Sequence, residues 1–258
     1  MRLENYLLEY KKILVPAEAN KIIRKNCSDY YTHALNRYYL YRGVNEIEGP
    51  IFIDPSQRVR TGSGMSKIFM DLIDNMPEWK EYPKRSRSLM ASTSLVHAKG
   101  FGRICMIFPF DGSRLAVAPT KDFNMGSFIQ EFRSIGIAGG MVHMTDAIEN
   151  LYEWINDGRF LNLKENSYPE LIKLSKEIEK RKGDEDWIYE LADADHIPIG
   201  FKMALRSESL IDILRRIVNP KSGGFKLAET NEYIRGNHEI WTDGKCVVMP
   251  IELWQHPK

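Results

Sequence analysis

After Arg103, the run Ile-Cys-Met-Ile-Phe-Pro-Phe110 contains no charged side chain and no polar one beyond a thiol. Such a run is too short to cross a bilayer and too uniformly apolar for an edge strand. It reads as a strand buried on both faces, so the chain must supply material to cover each side. Asp111-Gly112 comes next, and then Arg114-Leu-Ala-Val-Ala118. An Asp-Gly between two apolar runs predicts a β-hairpin. The same pattern returns at His238-Glu-Ile-Trp-Thr242, Asp243-Gly244 and Lys245-Cys-Val-Val-Met249, predicting a second hairpin. About a hundred residues between the two have helical texture, over 128–132, 147–154, 171–178 and 210–218, the last with Ser209 as N-cap.

The segment before this β-rich stretch is mixed. Leu3, Tyr6, Leu7, Tyr10 and Leu14 recur at three- and four-residue steps and predict a helix that Pro16 ends, with another from about Glu18. Tyr38 to Val44 is aromatic and β-prone, and Gly49, Pro50 and Pro55 punctuate the chain beyond it. A helix is predicted from Ser66, with Ile68, Phe69, Leu72, Ile73 and Met76 as its inner face. The organisation expected is one domain over 1–258: N-terminal helices over 1–35, a β core over 36–123 and 230–258, and a mostly helical insertion over 124–229.

Composition narrows the function classes. With 43% hydrophobic and 28% charged residues over 258 positions, the chain has the apolar material for one large core, which argues against disorder. Lys+Arg 36 against Asp+Glu 35 leaves a formal charge of +1, so no global field draws it to nucleic acid or anionic lipid. Cys27, Cys105 and Cys246 are isolated, which suits neither a disulfide framework nor a Cys-x-x-Cys metal site and predicts a reducing compartment. No apolar run approaches a membrane span and the N-terminus lacks a signal-peptide core, so a cytoplasmic protein is expected.

Several motifs point weakly to chemistry. Thr61-Gly-Ser-Gly-Met-Ser-Lys67 suggests a phosphate loop, but its spacing is that of a flexible loop capped at Ser66. Asp193-Ala-Asp195-His196 could hold a divalent ion, yet no second ligand cluster supports it, and a polar turn is the simpler reading; no metal is expected. No Gly-x-Ser-x-Gly elbow is present. A basic cluster, Arg58, Arg60, Lys84, Arg85 and Arg87 beside Tyr82, could dock nucleic acid.

One ordered combination stands out: Tyr41-Arg42-Gly43 on a β-prone segment, Ser92-Thr93-Ser94 leading through Ala98 to Phe101, and Glu239 opening a late strand. It resembles the R-S-E class of mono-ADP-ribosyltransferases. The context adds to the resemblance, since Met106-Ile-Phe-Pro-Phe-Asp-Gly-Ser-Arg-Leu-Ala-Val-Ala118 is similar to the family's continuation after its serine strand. The resemblance covers roughly 35–123 and 230–250. Arg85-Ser86-Arg87-Ser88 offers a second candidate serine motif, and both registers stay open.

The resemblance implies an α+β fold with a split antiparallel β-sandwich core, N-terminal helices and a helical insertion. It also implies transfer of ADP-ribose from NAD to a protein or nucleic-acid acceptor. Cleaving nicotinamide from ribose develops an oxocarbenium-like charge, which a carboxylate bonded to the neighbouring ribose hydroxyl stabilises. Glu239 takes that role. Arg42 is implied as the pyrophosphate contact, because a guanidinium offers planar, permanently charged donors. Ser92, Thr93 and Ser94, or Ser88, would organise the pocket, and Phe101 or Tyr41 would stack on nicotinamide. Asn237 and His238 would face the acceptor. Arginine-modifying members carry Glu where this chain has Asn237, so the acceptor is left open, as is the oligomeric state. Compact transferases of this type are familiar from phages, which would make the compartment a host cytoplasm. A second reading, from another class, is a non-enzymatic or virion-associated protein that uses the fold as a scaffold.

Overall fold

A computed structural model describes residues 11–45, 47–57, 59, 67–121, 128–155, 167–184, 186–187, 191 and 197–254. The fold is α+β. The chain divides into two compact units: residues 1–63, 81–123 and 225–258 form the first, and 64–80 with 124–224 form the second.

All the described strands lie in the first unit. They are β1 (Lys11–Ile13), β2 (Leu40–Val44), β3 (Ile51–Ile53), β4 (Leu89–Ser92), β5 (Arg103–Pro109), β6 (Arg114–Val117), β7 (Lys226–Glu229), β8 (Glu239–Thr242) and β9 (Cys246–Pro250). They form one antiparallel nine-stranded sheet in the order β1-β3-β9-β5-β2-β4-β8-β6-β7. The apolar run that predicts a fully buried strand is β5. Cys105 to Phe108 are each at most 2% exposed, and full five-residue ladders to β2 and β9 flank them. In contrast, β2 meets β4 at one register pair, Tyr41 opposite Ser92. The sheet therefore comprises a five-stranded half and a four-stranded half joined at a single pair.

Neither Asp-Gly turn makes the hairpin that its sequence predicts. β5 pairs with β2 and β9, and β6 pairs with β7 and β8. β8 pairs with β4 and β6, and β9 with β3 and β5. Each turn instead carries the chain from one half of the sheet to the other. The Asp111 carboxylate is occupied elsewhere: it accepts from the backbone N–H groups of Ser28 and Asp29 and from Ser28 Oγ, at 2.9, 3.0 and 2.6 Å. The Gly112 N–H donates to Thr230 Oγ1. The two turns also lie against each other, since a Cβ on Gly244 would fall 2.2 Å from Ser113 Oγ. Local turn chemistry is satisfied at both places, while the pairing is decided by the partner segment.

Helices α1 (Pro16–Asn26) and α2 (Ser28–Leu35) bury Ala19, Ile23, Tyr30 and Ala34 in the core of the sheet. Short α4 (Leu95–Lys99) comes after β4. The periodicity that predicts one helix through Leu14 fails at Lys11–Ile13, which pair with β3; residues 1–10 of that prediction lie outside the described set. Leu14 is buried, and its N–H bonds Pro50 carbonyl at 2.8 Å, so strand pairing overrides the local pattern. Strands β3 and β7 are elements that the sequence alone does not mark.

The second unit is helical: α3 (Lys67–Asn75), α5 (Ile129–Ser134), α6 (Gly140–Ile155), α7 (Ser167–Arg181), α8 (Ile199–Ser207) and α9 (Leu210–Ile217). Helix α9 conforms closely to its sequence. Ser209 Oγ accepts from the Asp212 N–H, and Leu210, Ile213, Leu214 and Ile217 are fully buried at i, i+3, i+4, i+7 spacing. The charge run from Glu177 carries the exposed pair Lys180–Glu177 and the half-buried Lys182 paired with Glu179 at the end of α7. Among the described residues no helix is long and apolar enough to cross a membrane.

Candidate functional site

Glu239 opens β8 directly opposite Ser92, the last residue of β4, and Ser92 in turn stands opposite Tyr41 on β2. Antiparallel partners project to the same face, so Tyr41, Ser92 and Glu239 form one row across three neighbouring strands. The backbone of Glu239 is held on both sides: its N–H donates to Thr120 carbonyl and its carbonyl accepts from the Ala118 N–H, each at 2.9 Å. Its carboxylate Oε1 accepts from Arg85 Nη2 at 2.6 Å, with side-chain exposures of 13% for Glu239 and 5% for Arg85. The guanidinium lies 4.8 Å over the ring of Trp241, whose Nε1 donates to Pro83 carbonyl. Arg85 is thus clamped between an aromatic face and the carboxylate, an arrangement that fixes the geometry of Glu239.

The hydroxyls of the serine segment serve the same corner. Ser92 Oγ donates to His238 carbonyl at 3.2 Å and accepts from the Ser94 N–H at 3.0 Å. Thr93 Oγ1 donates to Gly236 carbonyl and accepts from the His238 N–H, both at 2.8 Å. Ser94 is the N-cap of α4, accepting from the His97 N–H at 3.3 Å. The imidazole of His238 lies between Ala118 carbonyl and Arg235 carbonyl, at 2.7 and 2.8 Å. These bonds tie the segment before Glu239 to the end of β4. Ser88 is buried four residues upstream, where its Oγ donates to Lys84 carbonyl, so Ser92 rather than Ser88 is the register partner of Glu239. Phe101, just past α4, is 59% exposed and packs its ring edge-on to His97.

Arg42 is brought to the neighbouring strand but not to the same row. Alternation along β2 puts it with Leu40 and Val44, on the opposite face from Tyr41. Its side chain is 9% exposed, and Nη1 donates to Met90 carbonyl at 2.6 Å. That bond spans the gap where β2 and β4 have ceased to pair. Gly43, next in sequence, has a steric reason. A Cβ there would lie 2.3 Å from Ala98 carbonyl oxygen and 2.6 Å from Phe101 carbonyl carbon, so only glycine lets α4 rest on β2.

Beside the row, Tyr41 and Thr93 also line a cleft of about 490 Å³. Its walls carry Tyr30, Tyr38, Tyr39 and Tyr233, the cations Arg37 and Arg235, and His33. Tyr38 and His33 both pack against Tyr233, with ring centroids 4.7 and 4.2 Å apart. Burial pushes the phenol of Tyr39 above its ordinary range, with Arg37 acting the other way; burial and then Tyr39 raise that of Tyr41. These phenols are un-ionised packing surfaces with a polar tip.

The expected basic patch is corrected at one position: Arg85 is 4% exposed and belongs to the buried pair with Glu239, not to a surface shared with Lys84 and Arg87. Arg58, Arg60, the glycine-rich loop over 61–66 and the Asp193-Ala-Asp195-His196 cluster lie outside the described residues. Sequence reasoning did not find Arg85 as the partner of Glu239, since nothing local distinguishes it from Arg87. Nor did it find the tyrosine cleft, whose Tyr30 and Tyr233 are some two hundred residues from each other in the chain. Compared with protein-family models, curated proteins and solved structures, the chain matches none.

Proposed function

We propose that the protein transfers ADP-ribose from NAD to an acceptor, with Glu239 as the catalytic carboxylate. The observation that carries this reading is the row in which Ser92 and Glu239 are register partners on adjacent strands, beside the strand that bears Arg42. Three segments widely separated in sequence meet there, in the order expected from the R-S-E resemblance. The finer fold assignment belongs to the same proposal. Two half-sheets joined at one pair, with the chain crossing between them at both Asp-Gly turns, have the connectivity that a split sandwich requires.

In this reading the glycosidic bond between nicotinamide and the ribose C1′ breaks, and its electron pair leaves with neutral nicotinamide. A lone pair of the acceptor forms the new bond to C1′, and the acceptor's proton passes to solvent. Glu239 accepts a hydrogen bond from the adjacent ribose hydroxyl and stabilises the developing positive charge, while Arg85 holds the carboxylate in place. Ser92 positions the segment that carries Glu239. Arg42 acts on the pyrophosphate from the gap between the half-sheets.

The test is incubation with NAD labelled in its adenylate half, with and without cell extract. Wild type is expected to transfer label to an acceptor, and Glu239→Gln to lose about 10²–10³ of the rate with its circular dichroism unchanged. Arg42→Lys should weaken NAD binding more than it slows the bound complex. Labelling by Glu239→Gln at the wild-type rate, or no NAD binding by calorimetry, overturns the proposal.

A further inference from the structure

We infer that the tyrosine-lined cleft binds single-stranded nucleic acid, taking an unpaired base among the rings and its phosphates on Arg37 and Arg235. This rests on the cleft's own chemistry and not on the transferase reading, though it would name the class of acceptor if that reading holds.

Charge and shape come first. A cleft of about 490 Å³ has the size of a small-ligand site and holds one or two flipped-out nucleotides, whereas the bases of a duplex are stacked out of reach. Tyr38 and Tyr233 are 44% and 46% exposed, half-open rings of the kind on which unpaired bases stack. No carboxylate among the described residues forms an ion pair with the exposed Arg37 or Arg235. The acidic side chain on this wall, Glu232, directs Oε1 to the Glu229 N–H.

Two further features single the cleft out. Arg37 has φ 64°, the left-handed position after α2 where glycine is the usual residue. The Arg37 N–H bonds Ala34 carbonyl and the Tyr38 N–H bonds His33 carbonyl, so this is a complete helix-ending motif carrying a guanidinium where no side chain is favoured. His33, 5% exposed, places Nε2 2.9 Å from Thr230 carbonyl, which ties this wall of the cleft to the residue after β7.

The experiment is fluorescence anisotropy of the whole protein with labelled oligocytidine, oligouridine and a duplex, each repeated with saturating unlabelled NAD. Both oligonucleotides are expected to bind about tenfold more tightly than duplex. NAD should not displace them. Tyr233→Ala should lose about tenfold, and Arg37→Gly, which relaxes the backbone at that position, should lower the salt slope by about 0.7. Equal affinity for duplex, displacement by NAD, or unchanged binding by the two variants overturns the inference. Because binding is read without turnover, its outcome is independent of whether Glu239→Gln abolishes transfer.

Discussion

The Arg85–Glu239 pair carries two roles that pull in different directions. Two charges buried this deeply are costly to desolvate, and the pair repays that only while both partners remain. Arg85→Met should therefore cost roughly 3–5 kcal/mol, because it leaves an uncompensated carboxylate, and adding Glu239→Gln should recover most of the loss. Chemical denaturation of the two variants checks this, and a loss below about 1 kcal/mol in the single variant would contradict the clamp. Glu239 and Ser92 were legible from their residue types and order. Arg85 was not, because its role depends on Trp241 and Pro83, which no local pattern connects to it.

At the scale of elements, the sequence is most informative where an element answers only to itself. Helix α9 announces its cap and its buried face, and β5 its double burial. The Asp-Gly turns mislead because a turn specifies a change of direction, not the strand that will be found alongside. Gly43 offers a direct test of how α4 is seated. Gly43→Ala should destabilise the protein by about 1–3 kcal/mol, since the new methyl meets backbone at Ala98 and Phe101 that cannot rotate away. Thermal unfolding would read the effect. If Gly43→Ala unfolds as wild type does, α4 is free to lift from β2.

The molecule as a whole was partly legible. Helical texture between the β-rich segments foretold the second unit, but not that α3 belongs with it, because residues 64–80 are separated from the rest of that unit by the sheet's own strands β4 to β6. The three cysteines give a global prediction. Burial raises each thiol above its ordinary 9.0, Cys105 to about 12, with Asp111 adding to the rise of Cys27 and Cys27 to that of Cys246. A raised acid favours the folded state while the unfolded thiol is still protonated. Stability should thus be level below pH 9 and fall as pH rises beyond it, by up to about 1.4 kcal/mol per pH unit per thiol. Denaturant midpoints between pH 8 and 11 would check the slope, and native protein should resist alkylation at pH 8. Rapid modification of all three thiols without unfolding would contradict their burial.

The position of β9 sets an order of events during synthesis. It is the last of the nine described strands to be made, yet it sits between β3 and β5, inside the sheet. Until it arrives, the nascent chain holds two unsatisfied edges, one of them β5 with its buried run Cys105 to Phe108. The sheet thus stays open at its centre until β9 emerges, and that interval is when a chaperone would find it.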